Sequence, residues 1–167
     1  MADPLLFDIA EAILTAAADG MDDPPSRQVV VPGPSFAHDC DMLAVELQSM
    51  YPARLRQATG SDRPMARNER EVHTRQAQYQ VTLVLNCIPG ATQQLNSIAL
   101  PSPAAITAAA ERVMTAGFDA RTAVRDEILA ADSIFASCQH ASCGDLVPFG
   151  PSGGVAGVRF PVLVELP

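Results

Sequence analysis

The sequence predicts an α+β fold: a two-layer domain with one mixed, mostly antiparallel sheet and helices packed on one face. Three observations predict it. Two long runs, 76–88 and 158–166, alternate apolar and polar residues with the period of a strand. Two others, 5–14 and 103–129, place apolar residues at the 3.6-residue period of a helix. These patterns are interleaved along 167 residues, 48% of them hydrophobic, which suits one globular domain with a sizeable core. With no internal repeat and no second domain, the chain reads as a single domain, 1–167. It carries an N-terminal helix over about 4–19 and an Arg-rich arm over about 52–75.

The first helix rests on Leu6, Ile9, Ala10, Ile13 and Leu14, with Asp3 able to cap its start, Pro4 at its first position and Gly20 to end it. Asp22-Asp23-Pro24-Pro25 reads as a loop, and Gln28–Val31 as a short strand broken by Pro32-Gly33-Pro34. In Asp39–Ser49 the set Leu43, Val45 and Leu47 against Glu46 and Gln48 favours a half-buried strand. A helix is the competing reading, since Leu43 and Leu47 are also four apart. Residues 51–75 are polar, hold six arginines and are broken by Gly60 and Pro64, hence a protruding arm. Gln76–Ile88 is the clearest strand. Tyr79, Val81, Leu83, Leu85 and Cys87 face a core, whereas Gln78, Gln80, Thr82 and Asn86 face water or an interface.

Ser102-Pro103 opens the second helix, with Ser102 as N-cap. It runs through Ile106, Ala109, Ala110, Val113 and Met114, then through Ala120, Val124, Ile128 and Leu129. Gly117 between them allows one kinked helix or two shorter ones. Residues 137–149 read as loop. The last strand follows, with Val158, Phe160, Val162, Val164 and Leu166 on one face and Pro161 at an edge or bulge. So apolar a strand must pair in a sheet, because its backbone would otherwise invite aggregation.

Composition narrows the function. The formal net charge of −8 argues against free nucleic acid as a partner of the whole surface. All eleven basic residues are arginine, which fits either a GC-rich coding sequence or bidentate contacts at interfaces. Aromatic residues are 5% with no Trp, low for stacking on sugars or bases. No apolar run reaches the roughly 18 residues of a membrane helix, and Met1-Ala2-Asp3-Pro4 lacks the basic start of a secretory signal. Reduced cysteines are therefore expected.

Candidate chemistries are weak. Cys138, His140 and Cys143 form C-x-H-x-x-C, to which Cys40, Cys87 or His38 could add a fourth zinc ligand, but the spacing matches no common zinc signature. A Cys138–Cys143 disulfide is sterically conceivable and disfavoured by compartment. A cysteine nucleophile could pair with His38, His73 or His140, yet nothing arranges an oxyanion hole. Gly150, Gly153, Gly154 and Gly157 make no phosphate loop, since no G-K-[ST] occurs and a strand follows. Asp39 and Asp41 read as polar residues at a strand entrance. No catalytic residue, metal or cofactor is expected.

Two stretches carry a resemblance. Asp39-Cys40-Asp41-Met42-Leu43-Ala44-Val45 resembles the D-C-[DE]-x-L strand entrance of tail-terminator-like proteins from long-tailed phages of actinobacteria. Gly150-Pro151-Ser152-Gly153-Gly154-Val155-Ala156-Gly157 is similar to their G-P-x-G-G-x-A-G ending. The layout agrees over roughly residues 28–166, the Arg-rich insert aside. The resemblance implies a non-enzymatic virion subunit, a homo-oligomeric ring (a hexamer) on the tail tube, found in the host cytoplasm during assembly. It would end tube polymerisation and join the tail to the head–tail connector or stopper. Its partners would be further copies, the tail tube protein, the connector, and genomic DNA sliding through the lumen without specific binding. No membrane is expected. The interface residues expected are Arg54, Arg56, Arg63, Arg67, Arg70 and Arg75 of the arm, Gly153 and Gly154 of a glycine lip, and Arg159. The rival readings are another neck or tube ring component such as a head–tail stopper, a small metal- or thiol-dependent enzyme, and a nucleic-acid-binding module using the arm.

Overall fold

Two twelve-residue strands, β3 (Arg75–Asn86) and β6 (Val155–Leu166), pair antiparallel along their whole length and form the spine of the sheet. The computed structural model describes residues 4–32, 41–49, 75–86, 102–152 and 155–167. Its other elements are α1 (Pro4–Asp19), β1 (Arg27–Val31), β2 (Met42–Ser49), α2 (Pro103–Leu129), a 3-10 turn (Ile134–Ser137), β4 (His140–Cys143) and β5 (Val147–Ser152). The strand order is β1-β2-β3-β6-β4, with β5 sharing the same edge of β6 as β4. Only β1 and β2 run parallel; the other pairings are antiparallel. The α+β prediction therefore holds, as a mixed and mostly antiparallel sheet.

Both helices lie on one face. Leu6, Ile9, Ala10, Ile13 and Ala17 of α1 and Val113, Ala120 and Val124 of α2 share one core with the sheet. From the sheet come Leu43, Val45 and Leu47, then Tyr79, Val81, Leu83 and Leu85, then Val158, Phe160, Val162, Val164 and Leu166. The strand period of two puts each set on one side. Each large side chain so removed from water contributes about 1.5–3 kcal/mol. Tyr79, fully buried, donates its hydroxyl to the Leu6 carbonyl at 2.8 Å, so the one polar atom it carries inward is satisfied and ties β3 to the first turn of α1. Asp39–Ser49 is a strand where it is described, which settles the helix alternative.

The predicted helix ends hold. Gly20 N–H bonds to the Ala16 carbonyl at 3.1 Å, and the Ser102 hydroxyl accepts from Ala105 N–H at 3.2 Å. Asp3 lies outside the described residues. Gly117 does not divide α2, which runs as one helix of 27 residues. At Gly117 α2 packs tightly against β6: a Cβ there would lie 2.5 Å from Val158 Cγ2. The residue that read as a defect in the helix is a contact point on the sheet.

Two predictions are corrected. Residues 137–149 are not loop, but hold the end of the 3-10 turn, all of β4 and the start of β5. Four residues are too few to show a period, and Pro148 and Pro151 read as breakers; pairing with the distant β6 overrides both signals. Pro161 sits at neither an edge nor a bulge, being in register with Gln80 on the inner strand β6. Its carbonyl accepts from Gly144 N–H at 2.8 Å, so its donorless nitrogen faces the gap between β4 and β5, where the ladder is interrupted anyway.

Candidate functional site

Among the described residues no helix packs on the other face of the sheet, and there the register lines side chains up in rows. At one end, Arg27, Met42, Val84, Gly157 and Phe149 form one row through four pairings. The next row holds Val29, Ala44, Thr82, Arg159 and Val147, and the next Val31, Glu46, Gln80 and Pro161. Met42, Ala44 and Val84 are buried and form a small second cluster with Val29 and Phe149. Gln80 and Thr82 are buried as well, at 8% and 5% exposure, so this strand face is not simply wet. Toward β4 and β5 the face opens: Leu163 and Val147 are 45% and 46% exposed.

Gly157 is the pivot of the first row. A Cβ there would lie 2.2 Å from the Phe149 ring and 2.7 Å from the Leu83 carbonyl oxygen. Only glycine lets the ring close over the backbone of β6. Arg159 stands exposed one row further, its guanidinium carbon 6.0 Å from the centre of that ring. At such an exposed site a cation–π contact contributes about 0.5–1 kcal/mol.

Of the residues singled out in the sequence, the structure places Arg159 and, at the first position of β3, the backbone of Arg75, paired with Leu166. Arg54, Arg56, Arg63, Arg67 and Arg70 lie outside the described residues, as do Gly153 and Gly154, which fall between β5 and β6. Cys40, Cys87, His38 and His73 lie outside them too.

The C-x-H-x-x-C set is not brought together as a ligand set. His140 pairs with Glu165 on the helix-free side, whereas Cys143 pairs with Val162 on the helical side. Three residues apart on one strand, they point opposite ways. Cys138 and Cys143 are both free thiols and both pack against the main core. Burial pushes the Cys143 thiol up to about 11, against the pull of the Arg121 and Arg125 guanidiniums. Burial raises Cys138 as well, with a hydrogen bond from Ser137 opposing it. Both therefore stay protonated at neutral pH, which is poor for a nucleophile. Among the described residues no cluster of His, Cys, Asp and Glu is arranged to hold a metal ion.

Sequence reasoning missed an open groove of about 420 Å³ between the end of α1 and the side of α2. Buried Met21 and Leu85 line its apolar part. Asp22 and Asp23 border it from the turn after α1, Glu111 and Asp119 from α2, all four exposed. Among the described residues the cation on its border is Arg112, 3.4 Å from Asp41. The signal was present in part, since Glu111, Thr115 and Asp119 recur every four residues along one helix face. What no local pattern gives is the turn carrying Asp22-Asp23 being folded against that face.

No protein-family model matches the chain, and no curated protein matches it. Among the described residues no helix is long and apolar enough to cross a membrane.

Proposed function

We propose that the chain is a structural subunit of a long-tailed phage, forming a ring at the head-proximal end of the tail tube. In that place it ends tube polymerisation and joins the tail to the head connector. One observation carries the reading. The two stretches that resemble tail-terminator-like proteins are far apart in sequence, yet Met42 of the first and Gly157 of the second fall in one row across the sheet, joined through Val84. Met42, Ala44 and Val84 form a small apolar cluster with Phe149, whose ring closes over Gly157. Residues that meet in this way are held together by one structural role, as expected of motifs belonging to one fold family. The side chains of His140 and Cys143, on opposite faces of β4, favour an assembly part over a thiol or zinc enzyme.

Disruption of the gene in the virus tests this. The reading expects tails of excessive and uneven length that fail to join heads. Tails of normal length that fail to join heads would move the chain to a head–tail stopper. Normal infectious particles would remove it from the neck altogether.

A further inference from the structure

We draw no further inference here: the strongest candidate, the apolar cleft between α2 and the β5–β6 pair lined by Ile106, Ala110, Met114, Pro148 and Gly157, carries nothing because nothing in the structure shows what covers it.

Discussion

On its helical side the sheet presents an unbroken apolar surface from Leu43 to Leu166, sealed by α1 and α2. On its other side the same strands present Glu46, Gln80, Thr82 and Arg159 among Met42, Ala44 and Val84, with Leu163 and Val147 half open. The first surface is fixed by the hydrophobic effect and records how the chain folds. The second mixes polar residues with the small buried cluster of Met42, Ala44 and Val84. Function is to be sought on the second face and along the groove, and fold stability on the first.

Substitutions on β6 separate the two faces most sharply. Phe160 is 1% exposed on the helical side, so Phe160→Ala should cost about 3–5 kcal/mol in denaturant unfolding. Leu163, on the opposite side, should tolerate alanine within about 0.5 kcal/mol. Equal costs would erase the distinction. Deleting residues 158–167 should abolish soluble folding outright, because β3, β4 and β5 all pair with β6. A soluble truncated protein would contradict the placement of β6 as the spine.

Gly157→Ala sharpens the comparison at the Met42–Phe149 row. Overpacking against the Phe149 ring should cost about 1–3 kcal/mol. In a Phe149→Ala background the same change should cost clearly less, and additive costs would show that the ring is not the obstacle. A smaller effect is expected for Tyr79→Phe, about 1 kcal/mol, from loss of the bond to the Leu6 carbonyl.

The helical face also sets the behaviour of its thiols. With the Cys143 thiol raised to about 11, the folded state keeps a proton that the unfolded chain loses above about 8.5. This group therefore lowers stability as pH rises from about 8.5 toward 11, and has no such effect below that window. Alkylation of Cys143 in the folded protein should be slow at pH 7–8 and accelerate toward pH 11. Fast labelling at pH 7 would mean that the thiol is exposed as thiolate.

The sequence showed the helical face well, because one-sided burial imposes a period. Tyr79 to Leu85 and Val158 to Leu166 alternate for that reason, and α1 begins and ends where Pro4 and Gly20 place it. It hid β4 and β5, whose short runs with Pro148 and Pro151 become strands only against β6. It also hid the meaning of Gly117, which is a matter of contact with Val158 and not of helix propensity. The candidate site was less legible still. Arg159 and the glycine-rich ending were singled out, but the row joining Met42 to Gly157 depends on long-range register. The groove depends on where the turn after α1 comes to rest.

A virion map tests the central claim most directly. The account predicts this chain as a closed ring of identical copies between the tail tube and the head connector. A particle that lacks the chain, or holds it as a lone monomer away from any ring, would contradict it.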